Sequence, residues 1–165
     1  MERRAIYAAD ASHSRAASLR GAPYDLDRAE IARRVAEARD RGATEVCMQG
    51  GIRPAYSGET YAALCQIVQA AQPRMYVHAF SPLQILHGAR SSGLDLPTYF
   101  ARLQKAGLNT LPCTAADILD DEVREQVCPD KFNTDEWLEM MESAHRAGLR
   151  SSATTMFGHV DRPVQ

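Results

Sequence analysis

Between Leu26 and Gly42 the apolar positions Leu26, Ala29, Ile31, Ala32, Val35 and Ala36 recur at helical spacing, behind an acidic first turn and ahead of a glycine stop. The pattern then changes to a short apolar run, "ATEVCMQGG", which predicts a strand. The same alternation continues down the chain. "SGETYAALCQIVQAAQ" predicts a helix starting at Ser57 and ending before Pro73, and "RMYVHAFS" predicts the next strand. Ser81-Pro82 reads as an N-cap with proline at the first helical position, opening "PLQILHGARSSG". "LPTYFARLQKAG" predicts a helix that stops at Gly107 before the strand "LNTLPCTA". "DEWLEMMESAHRAG" predicts one that stops at Gly148 before "LRSSATTMFGH".

Three helix ends repeat: "DRGATEV", "KAGLNTL" and "RAGLRSS". Each carries a cation in the last turn, a glycine suited to a left-handed cap, and then a strand. Strand starts near 44, 75, 109 and 151 are spaced as successive βα units, and parallel strands need such helical crossovers. The predicted class is α/β: an incomplete (βα) barrel of about four parallel strands with outer helices. A closed barrel takes about eight strands, and an arc of four leaves end strands whose unpaired edges invite association. Residues 1–24, with the Ala/Ser/Arg-rich "ADASHSRAASLRGAP", show no apolar period and are expected to be a poorly ordered leader before the barrel region 25–165.

Composition narrows the class further. The 165 residues are 45% hydrophobic and 24% charged with a net charge of -2, so no basic footprint for nucleic acid is present. No apolar run approaches the roughly 20 residues that span a bilayer. A cytoplasmic protein is expected. Cys47, Cys65, Cys113 and Cys128 form no C-x-x-C pair and are expected to be reduced, mostly buried thiols.

Polar residues gather at the predicted carbonyl ends of the strands: Gln49, His78, Ser81, Thr114, Thr155 and His159, with Asp117 just beyond. A barrel collects such ends into one mouth, where its active site lies. Gly50-Gly51 at one of these ends is either a tight turn or a place where the backbone approaches a ligand closely. His78 and His159 could bind a metal, shuttle a proton or simply hold a loop. His87 and His145 fall inside helices and His13 in the leader, where structural or solvated roles are expected. In "TAADILDDEVREQVCPDK", Asp120, Asp121 and Glu122 start a helix and stabilise its positive end.

Five stretches carry a resemblance: "TEVCMQGGIRP", "HAFSPLQILHGAR", "LPCTAADILDDEVREQVCPDK", "NTDEWLEMMESAHRAG" and "TTMFGHVDRP". Together they resemble the radical S-adenosylmethionine transferases that build the deazaflavin chromophore (FO) of coenzyme F420, over roughly residues 25–165. The resemblance implies a partial (βα)6 barrel with S-adenosylmethionine and a [4Fe-4S] cluster as cofactors. It implies tyrosine and 5-amino-6-(D-ribitylamino)uracil as substrates, the 4-hydroxybenzyl group of tyrosine being joined to the uracil after hydrogen abstraction by a 5′-deoxyadenosyl radical. Gln49, Gly50, Gly51, Thr114 and Asp117 would then face the cofactor, and His78, Ser81, Thr155 and His159 the substrates. No residue is assigned as catalytic or as a metal ligand.

Two departures qualify this. The family's C-x-x-x-C-x-x-C motif belongs on the loop after the first strand, where this chain reads "YAADASHSRAAS", and three thiolates on one short loop cannot be replaced by scattered cysteines. The family's "PGTAAEIL" reads "PCTAADIL", with Cys113 for glycine and Asp117 for glutamate. The chain is therefore expected to be a segment of such a transferase, inactive alone, the missing barrel half being a possible partner. The alternative is a non-catalytic half-barrel that docks through its open edges. A metal-dependent hydrolase using His78, His159 and Asp117 ranks below both, because no ligand spacing supports it.

Overall fold

The computed structural model describes residues 4–7, 26–50, 52, 55–127, 129, 131–155, 157–158 and 160–164, with the backbone alone for 4–7, 113–117 and 127. Five strands form one sheet: β1 (Arg4–Tyr7), β2 (Glu45–Met48), β3 (Tyr76–Ala79), β4 (Thr110–Asp117) and β5 (Arg150–Thr155). The helices are α1 (Arg28–Asp40), α2 (Gly58–Ala71), α3 (Pro82–Ser92), α4 (Leu96–Ala106), α5 (Asp121–Val127) and α6 (Thr134–Arg146). Each strand pairs in parallel with the next, in the order β1-β2-β3-β4-β5.

Spatial order equal to chain order is the topological mark of a barrel segment. Right-handed crossovers that always step the same way place every helix on one face, whereas a doubly wound sheet reverses its order partway. The predicted α/β class and parallel arc with outer helices are borne out. The sheet also carries one strand beyond the four expected: β1, inside the segment read as a leader. The rest of that reading, over residues 8–24, lies outside the described residues.

The elements begin and end for local reasons. Asp27, Ser81, Asp95 and Asn133 cap α1, α3, α4 and α6, each side chain accepting a hydrogen bond from the N–H three residues on. Gly42, Gly107 and Gly148, the three glycines of the repeated motif, all have positive φ (85°, 113° and 82°). After each glycine the next N–H reaches back to a helical carbonyl at 2.9–3.1 Å: Ala43 to Ala38, Leu108 to Leu103 and Leu149 to Ala144. That is the 6→1 bond of a Schellman cap, which drops the chain directly into the following strand.

Strand alternation then divides the residues between two faces. Val46, Met48, Val77 and Leu111 turn toward the helices and are at most 1% exposed. Their packing against Ile31, Val35, Tyr61, Val68, Phe100 and Leu103 forms the main core. The register puts Glu45 beside Tyr76, Cys47 beside His78 and Thr110 beside Arg150 on the opposite, inner face. Between β3 and β4 the ladder is supplemented by Asn109, whose side-chain oxygen accepts from Val77 N–H at 2.7 Å while its own N–H donates to the Val77 carbonyl.

Candidate cofactor site at the strand ends

The carbonyl end of β2 presents Gln49 and then Gly50. Gln49 is half-buried on the same face as Cys47, two residues earlier, and its Nε2 donates to Cys47 Sγ at 3.6 Å. Gly50 lies outside the strand and is half-buried, and Gly51 lies outside the described residues. With no side chain at Gly50, the backbone there is open to close approach.

At the end of β3 the chain makes an unfavourable turn. Phe80 adopts φ 68° although it is not glycine, and it is fully buried. Such a left-handed residue costs about 1–3 kcal/mol and persists only where its surroundings impose it. Here Phe80 N–H donates to the Met48 carbonyl at 3.0 Å, and its ring meets Tyr61 edge-on at 5.0 Å. The turn delivers Ser81 as the cap of α3: its N–H donates to Gln84 Oε1 at 3.0 Å and its hydroxyl accepts from Gln84 N–H at 3.4 Å. Ser81 thus sits at the rim with its hydroxyl engaged in capping.

β4 and β5 bring two sequence-predicted residues together. Their pairing runs regularly to Cys113 and Ala153, then shifts, so that Asp117 pairs with Thr155. Four residues of β4 thereby match two of β5, a bulge of the kind found at barrel rims beside active sites. Thr114 lies within it and Asp117 closes it. Thr155 is exposed; His159 lies outside the described residues.

His78 is placed differently. It is 8% exposed on the inner face, and its Nδ1 is 2.7 Å from the Thr110 hydroxyl on the neighbouring strand. It belongs to a polar row with Glu45, Tyr76, Arg150 and Ser152, which line an open cavity of about 470 Å³. That cavity lies among the first residues of the strands, toward the end of the sheet opposite Gly50. His87, read as structural, holds the Tyr56 carbonyl through Nε2 at 2.8 Å.

The sequence reading also missed Arg124, one of the few buried charged residues described, at 3% exposure. Its Nη1 donates to the Ile118 carbonyl at 3.0 Å, and its Nη2 and Nε donate to the Phe132 carbonyl at 2.6 and 3.2 Å. Beside it, the Asp121 carboxylate accepts from both Thr134 N–H (2.8 Å) and the Thr134 hydroxyl (2.7 Å). Those bonds, with the Arg124 charge, hold the Asp121 carboxyl below its ordinary range.

The described cysteines do not suit an iron–sulfur cluster. Cys65 is buried in the helix-side core and Cys47 is on the inner face of β2, so the sheet separates them. Burial pushes the Cys65 thiol up to about 12, which keeps it protonated, whereas a cluster ligand must be a thiolate. Among the described residues no group of three or more His, Cys, Asp or Glu is arranged to hold a metal ion.

Comparison with known proteins identifies the family. The Radical SAM superfamily profile matches residues 8–162. The FO synthase of Mycobacterium tuberculosis (strain CDC 1551 / Oshkosh) is 51% identical over 140 residues, covering 85% of this chain and 16% of that protein. The 5-amino-6-(D-ribitylamino)uracil–L-tyrosine 4-hydroxyphenyl transferase of Archaeoglobus fulgidus is 42% identical over 138 residues, or 84% of this chain and 40% of that protein. A transferase of the same description from Methanosarcina mazei is 44% identical over 136 residues, or 82% and 36%. The chain therefore spans well under half the length of these relatives. With its strands in barrel order and almost its whole length matched, the chain belongs to the Radical SAM superfamily.

Proposed function

We propose that the chain is a segment of a radical S-adenosylmethionine transferase that joins the 4-hydroxybenzyl group of tyrosine to 5-amino-6-(D-ribitylamino)uracil. What supports this reading is identity of 42–51% to proteins named for that reaction or for FO synthesis, across more than four-fifths of this chain. In this reading S-adenosylmethionine is assigned to the carbonyl ends of the strands. Gln49 and the backbone of Gly50 are assigned to its amino-acid end, and Gly51, Thr114 and Asp117 are assigned to the cofactor by the resemblance of the sequence alone. Ser81, Thr155 and His159 are assigned to the substrates; His78, which lines the cavity at the opposite end of the strands, is left out of that set. When bound, the cofactor supplies the source of the abstracting radical.

The cluster is a different matter. The described thiols do not fit it, so no step is assigned through it, and the chain is expected to be inactive by itself. The test is anaerobic treatment with iron, sulfide and reductant, followed by an iron count and incubation with S-adenosylmethionine, tyrosine and the ribitylaminouracil. The expected result is substoichiometric iron and no coupled product. Four irons per chain with a cluster spectrum would overturn the inactivity reading.

A second reading is favoured by β5, which ends the sheet with nearly all its residues exposed. In this reading the strand's open edge accepts the remaining barrel strands or a partner, with no chemistry of its own. A discrete oligomer by size-exclusion chromatography, together with no S-adenosylmethionine binding, would favour it.

A further inference from the structure

We infer that Arg124 is a positioning residue that fixes the bulged carbonyl end of β4, and with it the backbone course of Thr114–Asp117. The inference rests on reading that rim as cofactor-facing, and goes beyond it in naming what holds the rim in place. β4 ends at Asp117, and the next carbonyl, that of Ile118, is held by Arg124 Nη1 at 3.0 Å. The other arm of the guanidinium holds the Phe132 carbonyl at 2.6 Å, one residue before the Asn133 cap of α6. One rigid fork therefore ties the exit of β4 to Phe132, eight residues after Arg124 itself and just before the entrance of α6.

Neighbouring contacts fasten the same junction from both sides. Asp120 Oδ1 accepts from Val123 N–H at 3.1 Å and the Asp120 carbonyl accepts from Arg124 N–H at 2.8 Å, which starts α5. Asp121 reaches across to Thr134 in the first turn of α6. A bulge has lost part of its ladder and needs support from outside the sheet. Buried carbonyls at Ile118 and Phe132 likewise need donors, and a planar guanidinium serves both at once. A lysine ammonium, compact and lacking the fork, cannot reproduce that geometry.

The experiment compares the full chain with Arg124→Lys and Arg124→Ala by amide hydrogen exchange and by calorimetric titration with S-adenosylmethionine. Arg124→Lys keeps the comparison decisive if the alanine variant does not fold. The expected result is exchange about tenfold faster or more in peptides spanning 112–120 and 131–135, with α1 and α2 unchanged. Affinity for S-adenosylmethionine should weaken about tenfold in Arg124→Lys. Unchanged exchange at 112–120, or acceleration spread evenly over the chain, overturns the clamp. Local acceleration with undiminished affinity overturns its role in positioning the site. If the unsubstituted chain does not bind S-adenosylmethionine, the cofactor reading of the rim falls, and the exchange data alone decide for or against the clamp.

Discussion

Replacing Gly88 with alanine should destabilise the fold by about 2 kcal/mol, although alanine is the better helix former. α2, α3 and α4 meet where Gly58 and Gly88 allow Tyr99 to lie between them. A methyl group built on Gly88 would stand 2.6 Å from Tyr99 Cζ and 2.9 Å from Cε1, closer than carbon atoms tolerate. Tyr99 cannot swing away: it is fully buried, and its hydroxyl donates to the Gly58 carbonyl at 3.3 Å. Overpacking of this kind costs about 1–3 kcal/mol, and a weakened hydroxyl bond adds about 0.5–1.5 kcal/mol. The gain in helix propensity offsets about 0.5–1 kcal/mol. Urea unfolding of the full chain measures the net effect, and a melting point lower by about 4–8 °C would accompany it. Because the Tyr99 hydroxyl stands nearest the new methyl, Gly88→Ala should cost about 1 kcal/mol less in a Tyr99→Phe background. Gly148→Ala is the control. Nothing lies within 4 Å of its added methyl, and its cost comes from the positive φ alone, so it should show no coupling to Tyr99. Wild-type stability in Gly88→Ala, or a cost indifferent to Tyr99→Phe, would refute the packing argument.

Further expectations concern the thiols, the inner face and acid stability. With a thiol raised to about 12 by burial, Cys65 should resist a disulfide reagent at pH 8 until the protein unfolds, whereas half-buried Cys47 should react in the native state; mass spectrometry of labelled peptides distinguishes them. Thr110→Val leaves His78 Nδ1 without its hydroxyl partner and should cost about 1–3 kcal/mol, with Thr110→Ser recovering most of it, as read by urea midpoints. Glu30 is held at about 2, chiefly by hydrogen bonds from Arg33 and then Arg34. A carboxyl lowered by folding contributes stability that is fully present above its ordinary value of 4.5 and is lost as pH falls toward 2. Glu30→Gln should therefore melt below wild type at pH 6 and converge with it near pH 2; a constant gap would contradict the assignment.

How far the sequence reveals this structure depends on the range of the interactions involved. Caps are local, so the Ser81 start and the Gly42, Gly107 and Gly148 stops could be read directly from residues a few positions apart. β1 could not. "RAIY" is four residues without alternation to mark it, and its strand character comes from pairing with β2, some forty positions on. Arg124 stands among aspartates and glutamates, a setting that reads as a solvated helix face. Its burial follows from where the carbonyls of Ile118 and Phe132 fall after the chain turns, which no periodicity records. His78 was legible as a strand residue, but it was read at the carbonyl end, whereas it lines the cavity toward the opposite end. Its partner was not legible, because the β3–β4 register that puts Thr110 beside it is set by tertiary packing. At the rim, the glycine pair and the polar strand ends were visible as residue types, but the bulge that pairs Asp117 with Thr155 was not.

The central claim is that the carbonyl ends of β2 and β4 form the surface that receives S-adenosylmethionine. The most direct measurement is a titration of the ¹⁵N-labelled full chain with S-adenosylmethionine, followed by amide chemical shifts. The account predicts saturable shifts confined to Gln49, Gly50, Gly51 and the Thr114–Asp117 bulge, with Glu45, Tyr76 and Arg150 at the opposite end of the inner face unmoved. Shifts centred on that opposite end, or none at all at saturating ligand, would contradict it.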